Sequence, residues 1–442
     1  MLVIFLTVFI DLLGFGMVLP LLPIYGEVFG EQYGLHENDP KLGLLIGILM
    51  SVFSLMQFVF APLWGRLSDR IGRRPVLMIG LTGSVVFYTL FGVATIFKSY
   101  ALLFVSRLGA GIAGATISTA QAYIADTTTL EKRARGMALI GAAFGLGFTF
   151  GPIFGVLAVP NEHVTWALHF IPGAESLLHA LHWELGPGPG YAAAILSACA
   201  LLLAYFKLPE SMTPESRPAA RKWLDLNALR EALSIPSIGP LLLAIFICIF
   251  AFANFESTLS LTLKGAYKFD IAQICLTFAY IGIVLTLVQG GIVRRIAGRV
   301  SEGKMAAGGA IAEIFGFFLL AQATNLPSLL TGLAVIVTGF AFVNPSLSSL
   351  LSRRSDPARQ GGILGIGQSI SSLARILGPM VGVPLFKNEP LAERLHVGSA
   401  TLPLALGACM MAVGLALILM AARNGRDFPA AEAAEDAPVG TL

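Results

Sequence analysis

Twelve long, predominantly apolar stretches recur along this chain, near 2–24, 42–64, 75–97, 100–122, 136–159, 190–208, 237–260, 271–293, 305–323, 327–350, 361–386 and 398–421. Each matches the roughly 20 residues a helix needs to cross a hydrocarbon core. Composition agrees. Hydrophobic residues make up 56% of the 442 positions and charged residues 12%, with a mean hydropathy of +0.79. A soluble domain carries about 25% charge, so a soluble enzyme, a disordered chain and a disulfide scaffold are all excluded. The expected fold class is an all-α integral membrane protein with twelve transmembrane helices.

Basic residues orient such a chain, because loops on the cytoplasmic side are enriched in Lys and Arg. With both termini cytoplasmic, 21 of the 29 Lys and Arg fall in cytoplasmic segments, six in outer ones, and Arg107 and Arg375 within spans. Both termini are therefore expected in the cytoplasm, in a cell (inner) membrane. The net charge is only +3 and the basic residues are scattered, so no nucleic-acid partner is expected.

The chain also repeats itself. Gly65-Arg66-Leu67-Ser68-Asp69-Arg70-Ile71-Gly72-Arg73 aligns with Gly291 to Arg299 at an offset of 226, and Gly151-Pro152-Ile153-Phe154-Gly155 aligns with Gly378 to Gly382 at 227. Two unrelated motifs at nearly one offset indicate parallel six-helix repeats. The division is an N-terminal bundle over 1–208, a cytoplasmic central loop over 209–236, a C-terminal bundle over 237–421 and a disordered tail over 422–442. Leu226, Leu229 and Leu233 form a short apolar stripe in the central loop, expected as a helix on the membrane surface.

A charge within the bilayer costs roughly 2.5–3.5 kcal/mol on insertion scales, so each is a functional candidate. Five stand out: Asp11, Arg107, Glu256, Glu313 and Arg375. Desolvation favours the neutral form of a carboxyl, so Asp11, midway along the first span, is a candidate to load and release a proton. Its alternative is a helix-packing hydrogen bond or ion pair. Arg107 shares a helix face with Gly111 and Gly114, where a neighbouring helix can approach closely. Glu256 sits among Asn254, Ser257 and Thr258, a polar cluster expected to face a water-filled cavity. Glu313 has no polar company, and Arg375 lies one turn before Gly378-Pro379.

Gly147, Gly151 and Gly155, with Pro152 beside them, form a flat ridge for close helix contact and a place to bend. Gly378, Pro379 and Gly382 repeat the pattern in the second half, so paired hinges are expected, one per bundle. Asp69 is expected just before a helix start, at the positive end of its dipole, with Arg70, Arg73 and Arg74 able to reach acids or lipid phosphates. Cys199, Cys248, Cys275 and Cys409 all lie in apolar stretches, which disfavours disulfides and metal clusters. Four of the six histidines fall in the outer segment 160–189, where solvated loop outweighs a metal site. No phosphate-binding loop, nucleophile elbow or zinc-protease motif occurs, so neither enzyme activity, nor ATP drive, nor a cofactor is expected.

Together these motifs resemble the major facilitator superfamily. Gly65 to Pro75 resembles its signature loop between helices two and three, Arg107 to Gly114 its helix-four motif, and Gly141 to Gly155 its helix-five antiporter motif. Asp11 to Pro23 is similar to the helix-one motif of twelve-helix drug–proton antiporters. Tyr123-Ile124-Ala125-Asp126, followed by Arg133-Ala134-Arg135, looks most like the tetracycline-exporter branch. The resemblance implies two pseudo-symmetric bundles around a central cavity, alternating access, a small-molecule substrate, coupling to protons and a monomer in the bilayer. It implies a latching role for Asp69 with Arg70 and Arg73, proton relay at Arg107 and protonation or gating at Asp11. There are departures: Phe87 stands where tetracycline exporters carry a membrane acid, and Arg295 replaces Asp69 in the second copy of the signature loop. The function expected is proton-coupled efflux of small amphipathic, drug-like compounds. The alternatives are a carrier of a native sugar or lipid-like metabolite and a non-transporting receptor or scaffold of the same fold.

Overall fold

The computed structural model describes residues 2–128, 130–158, 186–211, 230, 233–297, 299–355 and 360–424. The apolar stripe of the central loop, the histidine-bearing outer segment and the tail beyond 424 lie outside them, apart from Leu233. Within them the chain is helical almost throughout. The first six spans are α1 (Leu2–Val18) continuing into α2 (Leu22–Gly30), α3 (Pro40–Ile71), α4 (Arg73–Ile96), α5 (Tyr100–Gly114) continuing into α6 (Ile117–Thr127), α7 (Leu130–Ala158) and α8 (Gly188–Lys207). The second six are α9 (Gly239–Tyr267), α10 (Ile271–Leu287, extended by a π-helical Val288–Val293), α11 (Glu302–Ala321), α12 (Leu326–Arg354), α13 (Gln360–Phe386) and α14 (Thr401–Asn424). Eleven spans are long and apolar enough to cross a membrane over the described residues, and the twelfth, α7, contributes the apolar Gly145–Ala158.

Two expectations about boundaries are corrected. The first span is longer than 2–24, because the backbone at Pro20, which cannot donate, is carried through a 3₁₀ turn (Leu19–Leu21) and the helix resumes to Gly30. The segment from Gly65 is not a loop: α3 runs to Ile71, so Asp69 lies in its last turn rather than ahead of α4. The chain breaks only at Gly72, whose φ of 107° is open to glycine and strained for other residues. Helix ends near water are capped by local side chains. Asp39 accepts from Lys41 N at 2.8 Å, and Asp270/Gln273 and Asn325/Ser328 form capping boxes.

Each bundle contains a close helix pair built on the repeated glycine motif. At Gly147 and Gly151 of α7 the backbone of α1 is so near that a Cβ on Gly151 would lie 2.7 Å from Gly16. In the second half, a Cβ on Gly378 of α13 would lie 2.9 Å from the amide nitrogen of Asn254 in α9, and Gly382 also abuts Asn254. The sequence repeat thus becomes a spatial one, α7 on α1 and α13 on α9. Small residues do this because lipid gives helices no hydrophobic reason to associate, leaving close van der Waals contact as the main attraction.

The two bundles meet along two seams. α7 meets α10, where the Thr149 and Thr286 hydroxyls are 3.0 Å apart and Gly155 faces Cys275. α3 meets α13, where Gly43 and Gly47 lie against Pro384 and Pro379, and Ser51 Oγ donates to the Ile376 carbonyl at 2.5 Å. Beyond Phe53 the α3 side changes character: no residue from Ser54 to Leu67 is buried, and Gln368, Ser369 and Arg375 of α13 are exposed within an apolar span. The bundles are closed at the end where α2 terminates and part toward the end carrying Asp69.

Gly151→Ala places a methyl into the α1 backbone, and overpacking of this kind costs about 1–3 kcal/mol. A clear fall in melting temperature in detergent is expected, against little change for Gly308→Ala, whose added Cβ meets nothing within 4 Å.

Candidate functional site

Inside the N-terminal bundle, four spans bring their polar groups to one place. Asp11 of α1 accepts from Ser197 Oγ of α8 at 3.3 Å and lies beside Ser84 of α4. Tyr88 of α4 is buried between Asp11 and Arg107 and interacts electrostatically with both. Arg107 is itself 2% exposed, with its Cζ 4.5 Å above the Phe53 ring and 5.8 Å from that of Phe15. Its Nε and Nη1 have no hydrogen-bond partner among the described residues. The cation is held by ring faces beside the Tyr88 hydroxyl, with donor capacity in hand. Gly111 fits the expectation for this face, since a Cβ there would come 2.6 Å from the Phe53 carbonyl.

The C-terminal bundle presents a different pair. Glu256 of α9 and Arg375 of α13 interact electrostatically. Arg375 shares its helix face with Ser372 and Gln368, three and seven residues before it. This face is open at the parted end of the seam, whereas the Asp11–Tyr88–Arg107 group is shielded by Phe15 and Phe53. Asn254, one of the polar neighbours of Glu256, is wholly buried and donates to the Pro403 carbonyl at 2.7 Å, so it braces α9 on α14.

Glu313 is not brought to either group. It is fully buried within the C-terminal bundle, against Gly339 and near Cys248, and neither carboxyl oxygen has a hydrogen-bond partner among the described residues.

At the parted end, the signature segment forms a charge network within one bundle. Arg73 binds Asp69 at 2.5 Å, Asp126 of α6 at 3.0 Å and Ser68 Oγ at 2.6 Å. The N-terminus of α4 is capped by Glu210, whose carboxylate accepts from Arg73 N at 2.9 Å and Arg74 N at 3.1 Å. The dipole role expected of Asp69 thus belongs to Glu210, because Asp69 is held back in α3 and turned to Arg73. Arg70 is exposed, and Arg74 Nη2 donates to the Tyr205 carbonyl at 2.6 Å. The second copy, with Arg295 in place of Asp69, makes no such network among the described residues.

At the closed end a cluster appears that sequence reasoning missed. Glu27 of α2 is buried and takes two lysines from the other bundle: Lys264 of α9 at 2.5 Å, and Lys387, which follows α13. Ser260 Oγ donates to the Pro20 carbonyl beside it at 2.6 Å. The lysines read as ordinary outer-loop charges, and no spacing links positions 27, 264 and 387. Tyr88 was missed for a similar reason, as one tyrosine in an apolar run.

Two six-helix bundles with charged groups at a shared seam define a membrane transporter. The chain belongs to the major facilitator superfamily, whose model matches residues 4–379. It is 32% identical over 426 residues to Major facilitator superfamily domain-containing protein 10 of Mus musculus, covering 87% of this chain and 86% of that protein. It is 31% identical to the class C tetracycline resistance protein of Escherichia coli, covering 86% and 88%. The crystal structure of the human organic anion transporter MFSD10 (TETRAN) superposes with a TM-score of 0.67 at 26% identity, covering 94% of this chain and 98% of that one. These relatives are transporters rather than enzymes, and the tetracycline-exporter resemblance read from the motifs holds across most of the chain.

Removing Arg73 strands two carboxylates that are each about a third exposed. Arg73→Ala is expected to cost about 2 kcal/mol, the range for charged hydrogen bonds. Thermal unfolding should show it, with Arg70→Ala nearly neutral.

Proposed function

We propose that this protein is a proton-coupled exporter of small amphipathic compounds, working by alternating access between the units 1–208 and 237–421. The observation that carries the reading is the division of charge between the bundles. The N-terminal bundle holds an acid, a tyrosine and an arginine in a shielded group, suited to moving a proton without exposing it to substrate. The C-terminal bundle holds Glu256 and Arg375 on a face open to the seam, suited to meeting a ligand. Separate sites let one species change the equilibrium felt by the other, which is what coupling requires.

In this scheme Asp11 carries the proton, and Tyr88 and Arg107 sense its charge. Gly147, Gly151 and Pro152 of α7, with Gly378 and Gly382 of α13, keep each bundle rigid and let its helix bend, while Gly155 facing Cys275 and Pro379 against Gly47 are contacts across which the bundles turn. Asp69 is free of the opposite bundle in the conformation described and latches the parted end when that end closes. The basic bias sets that end in the cytoplasm of a cell (inner) membrane, and the protein acts as a monomer.

The test is proton movement in proteoliposomes under an imposed pH gradient, with tetracyclines, cationic dyes and neutral and anionic drugs added in turn. Wild type should show compound-dependent proton flux, and Asp11→Asn should abolish it, a loss of at least about tenfold. Flux that survives intact in Asp11→Asn moves the proton site elsewhere. No response to any compound from folded protein would remove the drug-export reading.

A second reading concerns substrate charge. Arg375 is open to the seam, and a structural relative is an organic anion transporter. Under this reading Arg375→Gln selectively weakens transport of anionic compounds, by about 10–100-fold for loss of a charged contact of 1.5–3 kcal/mol, and spares neutral ones.

A further inference from the structure

The Glu27 cluster does more than hold one end shut. Its carboxylate is divided between two ammonium groups, Oε2 to Lys264 and Oε1 to Lys387. Both lysines come from the C-terminal bundle, whose helices α9 and α13 are in backbone contact through Gly378 and Gly382. Glu27 alone comes from the other bundle. When the bundles separate at this end, the lysines stay together and their counter-ion leaves. Lys387 is only 2% exposed even now. Two ammonium groups left side by side at an opening end repel one another and are favoured by an anion between them, so the vacated pair offers a place for an anion of the size and charge that Glu27 supplied.

The other bonds at this end carry no such demand. Ser51 with the Ile376 carbonyl and Ser260 with the Pro20 carbonyl are neutral, and water can replace either when they part. The outer acids Glu31 and Glu37 are exposed and make no ion pair among the described residues.

We propose that Lys264 and Lys387 form a carboxylate-binding site at the mouth of the transporter, occupied by Glu27 in the closed state and by a carboxylate from outside solution in the open state. The inference rests on alternating access as proposed above. A ligand that binds only the open state shifts the equilibrium toward it by its differential affinity. External carboxylates therefore open this end, in competition with Glu27.

The test uses the full-length protein in nanodiscs, with Cys199 and Cys409 replaced by serine and spin labels at Glu37→Cys and Glu393→Cys, both exposed at this end. Benzoate is the probe, with chloride at matched ionic strength as control, and the distance distribution is read by pulsed electron resonance. Benzoate should raise the long-distance population in the labelled protein, and chloride should not. Adding Glu27→Gln should raise that population without benzoate and lower the half-effective benzoate concentration by about tenfold or more. Lys264→Gln with Lys387→Gln should remove the benzoate response. A response that persists in the double-lysine variant and vanishes in Arg375→Gln assigns the anion to the central seam and overturns the proposal. So does widening in Glu27→Gln with no benzoate effect, which leaves a latch without a site. Distances that never change under any condition would instead overturn alternating access itself.

Discussion

Hydrocarbon offers no hydrogen bonds, so each polar group in a membrane-spanning chain has to find its partner within the protein or face a water-lined gap. Every functional feature here follows from how that demand is met. Arg107 meets it with two aromatic faces beside the Tyr88 hydroxyl, Arg73 with Asp69, Asp126 and Ser68, and Lys387 with Glu27. Where bonds join residues of one bundle they fix its shape. Where they cross between bundles they can be broken and remade, and the cross-bundle bonds near the Glu27 cluster hold together the closed end of the α3–α13 seam.

The two ends of the molecule are consequently unlike in chemistry. At the parted end the charges are satisfied inside the N-terminal bundle, and the end of α3 needs nothing from its neighbour. At the closed end the buried acid Glu27 is satisfied, among the described residues, by crossing to the other bundle. The ionic bonds that cross between the bundles are thus confined, among the described residues, to the closed end.

Much of the architecture is legible in the order of residues. The spans follow from apolar run length, and the close pairing of α7 with α1 and of α13 with α9 is prefigured by Gly147-x-x-x-Gly151 and Gly378-x-x-x-Gly382. Asp11 and Arg107 stand out by the cost of charge in the bilayer, and they converge on one group. Glu313 stands out by the same rule and joins no group, because burial cost marks a residue as unusual without saying what lies beside it. The α3 boundary is easily misread because Gly65 looks like a breaker, although a glycine with open space around it is tolerated within a helix. The real break, Gly72, is marked by a backbone angle that sequence does not display.

Linear order alone makes this chain a twelve-span, two-fold repeated membrane protein of the major facilitator superfamily, because run length, charge bias and motif offset are properties of order. Three-dimensional packing is what joins Tyr88 to both Asp11 and Arg107, lets Glu210 cap α4 across 137 positions, and divides Glu27 between Lys264 and Lys387. These partners sit on different helices with no shared periodicity. Their encounter is fixed by how helices rotate and close against one another, and small-residue contact sets that rotation through packing that linear spacing does not encode.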